Sequence, residues 1–271
     1  MRGRKRYALL LAVLVGTLAI GLSIACSPDS GGDHSQWPGA LAMMKILPAD
    51  IGEIDYTDCS ARPAGWWEAD EWKEHYGETF MGQSWSKVHG MAMMHEPHII
   101  WLIAGDLDLS GLREVLGTAN GEMYQYEGTT VWKGESYSTA IVNQIVVTGE
   151  DEQVKRCIDA ASDKLPSMYE DRNYRWVANR LPKGTTLAIW TQTWGNDPNL
   201  LVQGVARDDR EGYHTEARAY VYDYGDADNA ATQAEEMTTA GEKAKAEGTA
   251  ATDFRIEQDG QYVLLITFPL V

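Results

Sequence analysis

Leu47-Pro48-Ala49-Asp50-Ile51-Gly52-Glu53-Ile54-Asp55-Tyr56-Thr57-Asp58-Cys59 reads as a proline-led turn running into a strand, and Leu181-Pro182-Lys183-Gly184 ahead of a strand from Thr185 to Thr193 repeats that layout later in the chain. Outward from the first copy come a Trp-rich helical segment, Trp66 to Tyr76, and β-like runs at Trp85 to Met94 and His98 to Asp106. A short helix follows from Ser110, a natural N-cap, to Leu116, with Leu112, Val115 and Leu116 at i, i+3 and i+4. Strands at Glu122 to Lys133 and Tyr137 to Thr148 come next, and a helix from Asp151 carries Val154, Cys157, Ile158 and Ala161 on one face. After the second copy come strands at Leu200 to Arg207 and Tyr213 to Tyr224, a long helix from Asp228 to Ala246, and a hairpin from Asp253 to Phe268 turning at Asp259-Gly260.

The same order thus occurs twice: a Leu-Pro-led strand, then β-β-α-β-β. Residues 39–168 and 169–271 are expected to form two similar halves of an α+β fold, each a mostly antiparallel sheet with helices on one face. Alternation in the run Tyr213 to Tyr224 places Thr215, Ala217, Ala219 and Val221 on one side and Glu216, Arg218, Tyr220, Tyr222 and Tyr224 on the other. The long helix has a thin stripe of Ala230, Ala234, Met237, Gly241 and Ala244, so it is expected to cover the small face and leave the tyrosines pointing away.

At the other end of the chain, Arg2, Arg4, Lys5 and Arg6 precede an apolar stretch from Tyr7 to Ala25 whose only polar members are Thr17 and Ser23. This is the layout of a signal peptide, residues 1–25. Leu22-Ser23-Ile24-Ala25-Cys26 resembles the lipobox of bacterial lipoproteins, with Ser23 in the place where such sequences usually carry Leu. The resemblance implies cleavage before Cys26, lipid attachment to it, and an exported protein held at the cell membrane facing outside the cytoplasm. An uncleaved anchor and an ordinary secretory signal are the plainer readings. Residues 26–38, polar and Gly-rich, read as a flexible tether.

Without the leader the chain has 19 basic against 40 acidic residues, a net charge near −21. Nucleic acid and anionic lipid surfaces would repel such a body, so no nucleic-acid partner is expected. Beyond Cys26 only Cys59 and Cys157 remain. An even pair in an oxidising compartment suggests one disulfide; two separate buried thiols is the other reading, because Cys157 falls on a helical apolar stripe.

Leu47 to Asp50, Gly105 to Asp108 with Leu112, Tyr126 to Gly128 with Trp132, and Val146 to Gly149 together resemble a group of uncharacterised bacterial envelope proteins of duplicated α+β domains. The resemblance implies an exported domain and brings no catalytic residues with it.

Two constellations could carry chemistry. His89, His95 and His98, interleaved with Met91, Met93 and Met94, offer imidazole and thioether ligands of the kind that copper or zinc takes, although Pro97 rules out a helical metalloprotease motif and the methionines also suit a core. Trp190 and Trp194 on one side of their strand, with Arg218, Tyr220, Tyr222 and Tyr224, make a candidate ligand face for a glycan, peptide or small molecule. The competing reading is that this face packs against the other half. Nucleophile-elbow, phosphate-loop and dinucleotide signatures do not occur, and Asp106/Asp108 and Asp208/Asp209 are the carboxylate pairs open to an envelope hydrolase. The reading that follows is a lipid-anchored, non-enzymatic binding or structural module of the cell envelope without a resident cofactor, with a transition-metal lipoprotein and a hydrolase as alternatives.

Overall fold

The computed structural model describes residues 37–62, 79–94, 99–118, 122–191, 197–208, 215–249 and 252–269. The leader, the lipobox, residues 26–36 of the tether and Trp66 to Tyr76 lie outside these residues, whereas Trp37 is buried in the core and Pro38 opens a helix, so the tether does not extend to 38. The first half contains α1 (Pro38–Met44), β1 (Glu53–Asp58), a small hairpin of β2 (Thr79–Phe80) and β3 (Gln83–Ser84), β4 (Val88–Met94), β5 (Ile100–Gly105), α2 (Leu109–Thr118), β6 (Glu122–Tyr126), β7 (Thr129–Lys133), β8 (Ser138–Val142), β9 (Ile145–Gly149) and α3 (Asp151–Ala161). The second contains α4 (Arg172–Arg180), β10 (Thr186–Thr191), β11 (Leu200–Asp208), β12 (Thr215–Asp223), α5 (Ala227–Ala246), β13 (Thr252–Asp259) and β14 (Tyr262–Pro269).

Twelve of the strands form one antiparallel sheet in the order β13-β14-β12-β11-β10-β1-β4-β5-β9-β8-β7-β6. The α+β, two-half expectation is met, and the halves meet edge to edge. The two Leu-Pro-led strands are the seam, paired from Glu53↔Trp190 to Thr57↔Thr186. In each half the last strand returns to pair with the strand that precedes the helical excursion, β9 on β5 and β14 on β12. Each Leu-Pro pair sits where a helix, α1 or α4, gives way to a seam strand, since proline cannot extend a helix that reaches it.

Residues paired directly across antiparallel strands share a face. One row on the inner face runs Leu264, Val221 and Val202; another runs Ile54, Ile189, Gly204, Ala219 and Ile266. This face carries the main core, sealed by α1, α3 and α4 through Ala40, Met43, Met44, Val154, Cys157, Ile158, Tyr174 and Val177. Gly204 is the notch that lets α4 approach, because a Cβ there would run into the Val177 side chain and come within 3.1 Å of Leu181 Cδ1. On the outer face α2 lays Leu112 over Met91, Ile103 and Val146, with Cys59, Trp85 and Val88, as a second, smaller core.

The long helix departs from its expected place. The small face of β12 belongs to α4, whereas Gly241 of α5 lies against the Phe254 ring, Gln258 Nε2 donates to the Ala227 carbonyl, and Lys245 stands over Phe254. Phe254 pairs with Thr267, which pairs with Arg218, so α5 covers the outer face at the β13–β14 edge. Helices therefore occupy both faces, the inner one densely and the outer one at its flanks. The α2 cap also sits two residues earlier than Ser110, since the Asp108 carboxylate accepts from the backbone N–H groups of Ser110 and Gly111 at 3.2 and 3.1 Å. Finally, the runs Glu122 to Lys133 and Tyr137 to Thr148 are each two strands. Glu127-Gly128 and Asn143-Gln144 both have positive φ, as a two-residue type I′ turn requires.

The edge strand β6 is tied to the inner face through Asp151. Its Oδ1 accepts from Tyr124 Oη at 2.5 Å and Ser138 Oγ at 2.6 Å, and Oδ2 faces Lys155 Nζ at 2.7 Å. Burial pushes this carboxyl up, but the hydrogen bonds from Lys155, Ser138 and Tyr124 outweigh it and bring the pKa down to about 2, against an ordinary 3.8. A depressed folded pKa contributes stability above the unfolded value that is lost as pH falls through the window from 3.8 to about 2. Asp151→Asn should cost about 1 kcal/mol at pH 7, a charge-assisted bond discounted for the exposed part of the side chain. The gap in urea midpoint between the two proteins should narrow as pH falls through that window and close only below about pH 2; a gap of equal size at pH 7 and below pH 2 would refute the role.

Candidate functional site

The outer face between α2 and α5 is where the candidate ligand residues come together. Trp190 on β10, Gln203 on β11 and Tyr220 on β12 are direct cross-strand neighbours, continued by Leu265 on β14. One step along, Ala188, Val205 and Arg218 form the next row. Trp190, Gln203, Arg218 and Tyr220 are all half-buried. The halves join along a strand edge rather than face to face.

Charge is fixed beside the aromatics. Glu216 accepts from Arg207 Nε at 2.9 Å and from Arg218 Nε at 2.5 Å. Partial burial pushes its carboxyl up, and the bonds from the two arginines override that and hold it below the usual carboxylate range. Two guanidinium groups thus share one carboxylate, a local positive excess in a strongly acidic chain.

Not every expected member joins. Tyr222 pairs with Val263 and is 5% exposed; burial, then Tyr224 and Asp197, push its phenol upward, so it belongs to the packing. Tyr224 stacks on it, ring centroids 6.1 Å apart at 20°. Trp194 lies outside the described residues. Gln203 and Val205, by contrast, had no sequence signal, since only strand pairing brings β11 between β10 and β12.

Of the histidine cluster, only His89 falls among the described residues. His89, at the bulge between Val88 and Gly90, faces Asp106, Nε2 to Oδ2 3.2 Å, on an exposed surface. His95 and His98 lie outside the described residues, and among the described residues no three His, Cys, Asp or Glu side chains converge as metal ligands. Met91 and Met94 are core residues, on opposite faces of the sheet. Of the carboxylate pairs, Asp106 is engaged with His89 and Asp108 with the α2 cap. Asp208 pairs with Thr215 in the β11–β12 ladder, and Asp209 lies outside the described residues.

The disulfide expectation is corrected. Cys59 and Cys157 are free buried thiols, the first in the outer core and the second in the inner one, with the sheet between them. Burial pushes each thiol up to about 12, so neither is poised as a nucleophile.

No family model and no curated protein matches this chain. Among solved structures, crystal forms I and IV of TP0453 are each similar at 8% identity and a TM-score of 0.42, covering 84% and 86% of this chain and 92% and 95% of that one. Crystal form III of TP0453 follows at 9% identity and 0.39, covering 84% and 93%.

Proposed function

We propose that this protein is an exported lipoprotein, anchored through Cys26, whose folded part acts as a non-enzymatic binding or structural module of the cell envelope. The observation that carries the reading is the row Trp190–Gln203–Tyr220, with Arg218 beside it, on a sheet face whose helices lie at its flanks. Flat aromatic groups with a fixed guanidinium and an amide between them suit a partner that offers both apolar surface and hydrogen-bond acceptors, such as a protein or glycan. The rigid sheet holds them in place without an ordering cost on binding. Asp106, Asp108 and Glu216 each have a structural partner, which favours binding over acid–base chemistry as the use of this surface. Among the described residues no helix is long and apolar enough to cross a membrane.

The test is photocrosslinking in the producing cell. Benzoylphenylalanine at position 220 should yield a discrete light-dependent adduct, and the same group at Glu235, on the exposed side of α5, should not. No adduct at 220 above that control would overturn the assignment.

A further inference from the structure

Trp132, on β7, carries a second signal that the central strip does not use. Its indole Nε1 is buried and has no hydrogen-bond acceptor. The same side chain lines a cavity of about 210 Å³ on the outer face, beside the β6–β7 hairpin, together with Arg113 of α2, Gly128, Thr129, Thr130 and Ile141. Arg113 has neither a hydrogen bond nor an ion pair among the described residues.

The lining is rich in donors. Guanidinium N–H groups donate and do not accept. Thr130 Oγ1 already accepts from Gln125 Nε2 at 2.8 Å, which leaves its own proton to give. Among the described residues no carboxylate lines the cavity, although the chain has 40 acidic residues against 23 basic. What complements such a lining is a group with acceptors only and a negative charge. Size limits it further: the space equals roughly seven water molecules at about 30 Å³ each. It falls short of the ~300 Å³ at which pockets for drug-sized ligands begin.

We propose that this cavity binds a small oxyanion, a carboxylate or phosphate group, gripped by the planar fork of Arg113 and by the Thr130 hydroxyl beside the Trp132 ring. The site is separate from the Trp190–Tyr220 strip, so the two assignments stand or fall independently.

The full-length chain labelled with 5-fluorotryptophan in detergent tests this by ¹⁹F NMR, the Trp132 resonance being the one lost in Trp132→Phe. Sodium acetate and inorganic phosphate are titrated at constant ionic strength set with sodium chloride. The Trp132 signal should move saturably, and Arg113→Gln, an exposed change that leaves the core intact, should weaken the apparent affinity at least tenfold. Arg113→Lys, which retains charge without the fork, should fall between. Saturation by acetate alone assigns a carboxylate, and by phosphate alone a phosphate; either supports the site. A signal unmoved by both, or a shift unaltered in Arg113→Gln, would overturn it.

Discussion

Gly105→Val should lower the melting temperature by roughly 10 °C, while Gly117→Ala in the same part of the chain should raise it slightly. Gly105 closes β5 against the bulged start of β4. A Cβ there would sit on the Lys87 carbonyl oxygen, 2.8 Å from Val88 Cα and 2.9 Å from His89 N. All three are backbone atoms, so no side-chain rotation makes room. The strand must move, and with it goes the hydrogen bond from Asp106 N to the Lys87 carbonyl at 2.8 Å. Overpacking of this kind costs about 3 kcal/mol or more, and at about 2–4 °C per kcal/mol for a chain of this size the loss is plain in a melting curve. Gly117, within α2, has nothing within 4 Å of a built Cβ, so alanine there gains about 0.5–1 kcal/mol from helix propensity alone. Were Gly105→Val to melt within about 2 °C of the parent, the close approach of β4 to β5 would be wrong.

Cys26→Ser should abolish incorporation of labelled fatty acid, the second large effect. Each buried methylene contributes about 0.8 kcal/mol to membrane binding, and a single chain gives only marginal attachment, whereas two hold a protein firmly. Attachment through a doubly acylated residue is therefore all or nothing at this one atom. The strongly acidic body offers no electrostatic second anchor on an anionic surface. Label persisting in Cys26→Ser, or a mature protein that begins at another residue, would remove the lipid from the account. Fractionation alone would not decide it, because an uncleaved leader would also hold the chain at the membrane.

Residue alternation carried far in the second half. Ala217, Ala219 and Val221 are buried on the inner face and Arg218 and Tyr220 lie on the outer one, as period-two patterning requires. Tyr222 shares that outer parity and is nonetheless buried, because Val263 of β14 is its neighbour, a fact recorded in no local pattern. Glu127-Gly128 is a turn that composition hints at. Asn143-Gln144 has no glycine, and its positive φ values are stabilised by the ladders on either side. The α5 stripe shows the limit most directly. A row of alanines with Gly241 fits a small surface or a flat ring equally well. The side is decided because Val177 and Leu181 occupy the Gly204 notch on the inner face, leaving Phe254 for α5.

The sequence by itself determined the α+β class, the doubled order of elements, the Leu-Pro entry into each seam strand and the face to which each residue of β12 points. These depend on torsional preference and on periods of two and 3.6, which are local properties of the chain. Only the tertiary structure decided that the halves join along β1 and β10, that Cys59 and Cys157 lie on opposite sides of the sheet, and that Arg113 and Trp132 line one cavity. Those outcomes depend on which strands become neighbours and on which helix fills a notch first, and such choices are made by packing between residues far apart in the chain.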